Sequence, residues 1–80
     1  MIKRSHQNMW KQLIKLSKDS DVGLQTQLRK SVANLILERS ISPDMPLPSS
    51  RELAQILEIS RSTVTLVYQR LVDEGFLVSR

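Results

Sequence analysis

Four hydrogen-bonding residues, Arg61, Ser62, Thr63 and Thr65, fall within five positions of one another. An arginine guanidinium is a rigid fork of donors that matches guanine O6 and N7, or a phosphate, in two places at once. Small hydroxyls beside it can bond bases or phosphates without adding bulk. From Ser60 to Val72 the only charged side chains are Arg61 and Arg70, so no carboxylate in that stretch repels an anion. A second group lies upstream, where Ser49, Ser50 and Arg51 open a helical pattern. A helix N-terminus attracts phosphate through its unpaired amides. Each group also has a plainer reading. Capping accounts for Ser49 fully. Arg61 can be a solvated first-turn arginine, although a positive charge is slightly misplaced against the helix dipole there.

Catalysis finds no inventory to work with. The chain has no cysteine and a single histidine, His6, in a stretch without pattern. Disulfides and a Cys/His zinc site are therefore excluded. Asp19/Asp21 and Asp73/Glu74 flank helical segments, where capping and terminal roles suit them better than acid/base work. With two glycines in all, there is no glycine-rich phosphate loop. The chain is not expected to be an enzyme, and needs no metal or cofactor of its own.

Eighty residues make one small domain, which buries only about 60% of the surface its unfolded chain exposes. No run approaches 18 apolar residues, so no membrane span is expected, and the N-terminus lacks the pattern of a signal peptide. A cytoplasmic location is the default. The net charge is +4, but it is unevenly spread. Lys3, Arg4, Lys11, Lys15 and Lys18 precede the first acidic residue, and the remainder holds seven Lys/Arg against eight Asp/Glu. Charge placement, not charge total, must then make any footprint in residues 19–80. The basic N-terminus is either a phosphate-contacting arm or a solvated lead-in.

The elements that position these residues follow from periodicity. Residues 1–12 carry no clear signal and are set aside as a basic lead-in to a domain over 13–80, although Met9, Leu13 and Leu16 have helical spacing. Leu13-Ile14-Lys15-Leu16 fits either a helix or a short strand, and Asp19-Ser20-Asp21 with Gly23 breaks it. Leu24, Leu28, Val32, Leu35 and Ile36 form one stripe, predicting a first helix to about Arg39. Ser42-Pro43-Asp44 reads as a turn and Pro46-Leu47-Pro48 as a short extended piece.

Ser49-Ser50-Arg51-Glu52 fits a capping box, opening a second helix that buries Leu53, Ala54 and Leu57 and ends near Leu57 or Glu58. Ser60 opens a third helix, with Ile59 and Val64 spaced as a hydrophobic staple. Val64, Val67, Tyr68 and Leu71 form its inner stripe; Tyr68 is read as a core residue with its hydroxyl at the surface. Gly75 suits the left-handed position of a Schellman stop, after which Phe76-Leu77-Val78 reads as a strand.

Two helices joined by Glu58-Ile59-Ser60 have the layout of a helix-turn-helix, which offers the N-terminus of the third helix to a DNA major groove. Here a resemblance enters. Leu47-Pro48-Ser49-Ser50-Arg51-Glu52-Leu53-Ala54, then Ile59-Ser60-Arg61-Ser62-Thr63-Val64, then Tyr68-Gln69-Arg70-Leu71-Val72-Asp73-Glu74-Gly75-Phe76-Leu77 together resemble the GntR family of transcription regulators. The Ser-Ser-Arg-Glu-Leu-Ala form, Tyr68, and Leu16-Ser17-Lys18-Asp19-Ser20 look like its MocR subfamily. The likeness spans roughly residues 13–80.

The resemblance implies a mainly α, winged helix-turn-helix domain that binds double-stranded operator DNA, with the full-length protein a homodimer. It implies base contacts by Arg51 and Arg61, DNA contacts by Ser62 and Thr63, and a specificity role for Thr65. With Ser49, Ser50 and Ser60, these make the candidate DNA-binding set. In MocR-like members a large aminotransferase-like domain holding pyridoxal phosphate follows, and none of it lies in these 80 residues.

Two departures stand out. Glu58 occupies a position commonly glycine in the family, and would cost on the order of 1 kcal/mol if left-handed. The wing is expected to be short and truncated at Arg80. Two rival functions remain. A protein-interaction helix-turn-helix would want an apolar outward face on the third helix, where 61, 62, 65 and 69 are polar. A piece of a pyridoxal-phosphate-binding regulator or enzyme would need a lysine in a built pocket, whereas all five lysines lie within residues 3–30.

Overall fold

A computed structural model describes residues 9–41 and 46–78. Residues 9–13 are helical; α1 follows at Leu24–Leu37, α2 at Ser50–Leu57 and α3 at Arg61–Asp73. The architecture is mainly α. Helix α3 packs against both α1 and α2. Its stripe of Val64, Val67 and Leu71 is completely buried, together with Leu28 and Val32 of α1 and Leu53 of α2. Burying a side chain of this size contributes about 1.5–3 kcal/mol. Among the described residues no helix is long and apolar enough to cross a membrane.

The core reaches upstream into the segment set aside as a lead-in, where Met9, Leu13 and Leu16 have helical spacing. Trp10 and Ile14 are 3% and 2% exposed, and Met9, Leu13 and Leu16 pack beside them. Helix, not strand, is the conformation reached at Leu13, and the Ile14 amide still donates to the Trp10 carbonyl at 2.9 Å. A single tryptophan has no period of its own, so its burial depends on the folded chain around it.

Gln27 then ties the irregular stretch that follows to α1. Its carboxamide accepts from the Ser17 amide at 2.8 Å and donates to the carbonyls of Ser17 at 2.9 Å and Val22 at 2.6 Å. One side chain thus satisfies three backbone groups that no helix or strand serves. An ion pair, Arg29 to Glu74 at 3.3 Å, joins α1 to the end of α3 at the surface.

Three helices end in the same way. The last turn of each is closed by a left-handed residue and a pair of backward hydrogen bonds, the Schellman pattern. In α3 the left-handed residue is Gly75, at φ 84°, with Phe76 donating to Leu71 O at 2.8 Å and Gly75 to Val72 O at 3.0 Å. In α2 it is Glu58, at φ 58° and ψ 46°, with Ile59 donating to Ala54 O at 3.0 Å. In α1 it is Arg39, at φ 62°, with Ser40 donating to Leu35 O at 2.9 Å. The first helix therefore stops two residues before the expected Arg39, because Ile41 must turn back into the core, where it is 3% exposed.

One expected element is absent among the described residues. Phe76-Leu77-Val78 does not form a strand. A strand needs a neighbour to pair its backbone, and here the amides of Phe76 and Leu77 both turn back to the Leu71 carbonyl, at 2.8 and 3.2 Å. The side-chain pattern suited a strand, but the helix stop took the donors. The turn read at Ser42-Pro43-Asp44 lies outside the described residues, and Pro46-Leu47-Pro48, expected as a short extended piece, forms neither helix nor strand.

The left-handed stops generate a stability prediction. A side chain at positive φ costs about 1–2 kcal/mol, partly offset in the unfolded state by glycine's greater freedom. Glu58→Gly and Arg39→Gly should each raise stability by about 0.5–1 kcal/mol, and Gly75→Ala should lower it. Urea unfolding of the three variants against the parent chain tests this; a destabilised Glu58→Gly would refute the strain at that turn.

Candidate nucleic-acid interface

Local capping positions the two candidate groups. Ser49 stands before α2 in extended conformation; its Oγ accepts from the Glu52 amide at 3.1 Å, and its own amide donates to Glu52 Oε1 at 3.1 Å. The capping box read from the sequence is complete. Ser60 does the same for α3: its Oγ accepts from the Thr63 amide at 3.3 Å, and lies 2.7 Å from Thr63 Oγ1 and 3.3 Å from Ser62 Oγ. The first turn of α3 holds no acidic residue. Its partial positive charge is thus left uncompensated beside Arg61.

These bonds sort the candidate set. The hydroxyls of Ser49 and Ser60 are committed to capping, and Thr63 is half-buried with its hydroxyl on Ser60. Ser50 is half-buried in the first turn of α2. Arg51, Arg61, Ser62 and Thr65 are exposed, and among the described residues neither arginine meets a carboxylate at ion-pair distance. They are the members of the set whose polar groups face outward.

The fold holds the two groups apart. Pro48, just before α2, accepts a hydrogen bond from the Tyr68 hydroxyl at 2.7 Å. Tyr68 lies seven residues beyond Arg61, about 10 Å along α3 at the usual helical rise. The N-terminus of α2 therefore sits beside the middle of α3, and the two N-termini present Arg51 and Arg61 as separate points on one helix pair. Burial, reinforced by the Glu52 carboxylate, holds the Tyr68 phenol well above the usual range, so the bond to Pro48 persists at any ordinary pH. Tyr68 packs against the core, as expected, but its hydroxyl is spent on Pro48 and not left at the surface.

The upstream lysines are also organised. Lys11, Lys15 and Lys18, with Glu58, line an open groove between the lead-in and the end of α2. Lys18 Nζ donates to the Glu58 carbonyl at 3.0 Å. It thereby serves the negative end of α2, a favourable place for a cation. Lys11 and Lys15 are exposed beside it.

The outward face of α3 is polar at 61, 62, 65 and 69, but it also carries Leu66. Leu66 is 41% exposed, on the face turned away from Val64, Val67 and Leu71. A helical wheel at about 100° per residue puts Ser62, Leu66 and Gln69 within roughly 60° of one another. That wheel was the available signal.

Comparison with known proteins gives a consistent answer. Residues 24–80 match the family described as "Bacterial regulatory proteins, gntR family", whose domain is a winged helix-turn-helix, the fold class expected from the sequence. The HTH-type transcriptional repressor NagR of Bacillus subtilis is 39% identical over 62 residues, covering 78% of this chain and 26% of NagR. The probable rhizopine catabolism regulatory protein MocR of Rhizobium meliloti is 37% identical over 68 residues, 85% of this chain and 14% of that one. The HTH-type pyridoxine biosynthesis transcriptional regulator PdxR of Corynebacterium glutamicum is 36% identical over 64 residues, 80% and 14%. No solved structure matches. The chain spans about a quarter or less of the length of these relatives. A helix-turn-helix with two capped N-termini, matched across all three of its principal helices, places the chain in the gntR family of bacterial regulatory proteins, with MocR and PdxR among its relatives.

Proposed function

We propose that this chain is a cytoplasmic, sequence-specific DNA-binding module of a transcription regulator, with the N-terminal half of α3 in the major groove of operator DNA. One observation carries the reading. The N-terminus of α3 presents Arg61, Ser62 and Thr65 outward, next to an amide-rich helix end without a carboxylate, while the opposite face of the same helix is the core. An α-helix fits the major groove, and an arginine at its start can bond guanine O6 and N7 together. Arg51, at the separate N-terminus of α2, is suited to the flanking backbone or a neighbouring base. Ser49, Ser50, Ser60 and Thr63 bring amides and hydroxyls to the same two points, mainly by shaping the helix starts. The names of the relatives, a transcriptional repressor and transcriptional regulators, support the same reading.

Operator DNA is inferred to be bound by two copies, one per half-site, the arrangement in which a symmetric dimer meets a palindrome. The module itself is read as non-catalytic and as holding no pyridoxal phosphate. In support, a Schiff-base lysine needs a pocket built around the cofactor, and the described lysines, Lys11, Lys15, Lys18 and Lys30, are all exposed.

Selection of bound sequences from a random duplex pool tests the proposal directly, and enrichment of a defined motif is the expected result. On that motif, Arg61→Ala should cost about 1–3 kcal/mol in affinity and relax the preference at one guanine. Unchanged affinity at matched salt would show that α3 is not the reading helix.

The lysine groove adds a salt prediction. Each phosphate neutralised on B-DNA contributes about 0.9 to the slope of log affinity against log salt. Replacing Lys11 and Lys15 together by glutamine should flatten that slope by up to roughly 2. An unchanged slope would confine the DNA contacts to α2 and α3.

A further inference from the structure

Helix α3 exposes one large aliphatic side chain, Leu66. Val64, Val67 and Leu71 are each 0% exposed, whereas Leu66 is 41% exposed. Leu66 stands one helical turn after Ser62 and one residue after Thr65, both exposed. Residues four apart on a helix are surface neighbours, so Leu66 continues the stripe that Ser62 begins. Gln69, the next polar residue on that stripe, is drawn along the axis: its Nε2 donates to Asp73 Oδ1 at 3.0 Å. Its amide is thereby turned toward the helix end, and the leucine stands alone at the middle of the outward face.

A helix docked by that face would bring Leu66 against base edges. Three of the four bases show only donors and acceptors in the major groove; thymine adds the C5-methyl group. An isobutyl group can make no hydrogen bond, so over a donor or acceptor it would strip water and return nothing. Over a methyl group it buries apolar surface on both partners.

We infer that Leu66 is a specificity-determining residue that reads a thymine C5-methyl group in each half-site, next to the position contacted by Ser62. This rests on the DNA-binding reading above and deepens it: the chain reads by hydrogen bonding at Arg61 and by apolar contact one turn and a half further along. The selected motif should therefore contain a thymine whose methyl, not its hydrogen-bonding edge, carries the preference.

The test uses the selected duplex, resynthesised with deoxyuridine in place of thymine at one position at a time. Deoxyuridine keeps the O4 acceptor and lacks the methyl. Binding by the chain should fall roughly threefold to tenfold at one thymine position per half-site, the size of about one methyl's burial. With Leu66→Ala, an exposed position where folding is retained, the thymine and deoxyuridine duplexes should bind alike. A chain that binds the motif tightly but is indifferent to every deoxyuridine replacement would overturn the inference and leave the DNA reading standing; so would a Leu66→Ala variant that keeps the full methyl preference. Failure of the parent chain to enrich any motif would overturn the DNA reading itself.

Discussion

Helix α3 must be core on one side and solvent-facing on the other, within thirteen residues. The helical period enforces that division. Val64, Val67 and Leu71 are spaced to fall on one stripe and are wholly buried between α1 and α2. The residues between them, Arg61, Ser62, Thr65 and Leu66, are then turned outward without any further device. Rigidity follows from the same packing, because α3 touches both other helices and can rotate against neither without exposing apolar surface. A helix held this way keeps its outward side chains in a fixed register.

The chain's turns extend that control to the start of α2. The left-handed residue Glu58 and the bond from Ile59 to Ala54 O stop α2 abruptly, and Ser60 starts α3 two residues later. So short a link fixes the angle between the helices. At the far end, the hydroxyl of Tyr68 holds the Pro48 carbonyl. The start of α2 is thus pinned to the middle of α3, and Arg51 keeps its distance from Arg61. Lys18, reaching the Glu58 carbonyl from the lead-in, braces the strained turn from behind.

A domain of this size has little core to spare, and the lead-in supplies part of it. Trp10 and Ile14 close the apolar cluster, and Gln27 satisfies the backbone that connects them to α1. The basic residues around them are carried into a groove beside the helix-turn-helix by that apolar anchoring.

What the sequence determined alone was whatever depends on neighbours a turn away. The stripes of α1 and α3, the Ser49 and Glu52 capping box, the Ser60 cap and the Gly75 stop are all interactions within a few residues, so spacing and residue type sufficed to read them. The motifs that resembled the GntR family were legible for the same reason. Tertiary structure decided what depends on partners far along the chain. Trp10 has no period, and is core only because the folded chain closes over it. Gln27 looks like a surface residue until Ser17 and Val22 are folded against it. Phe76-Leu77-Val78 has a strand's composition, yet its amides go to the helix stop, because a strand needs a partner that no residue type can specify locally. Arg39 is left-handed because Ile41 must return to the core. Leu66, apolar by type, is exposed because Val64, Val67 and Leu71 already fill the one face of α3 that the other helices can cover.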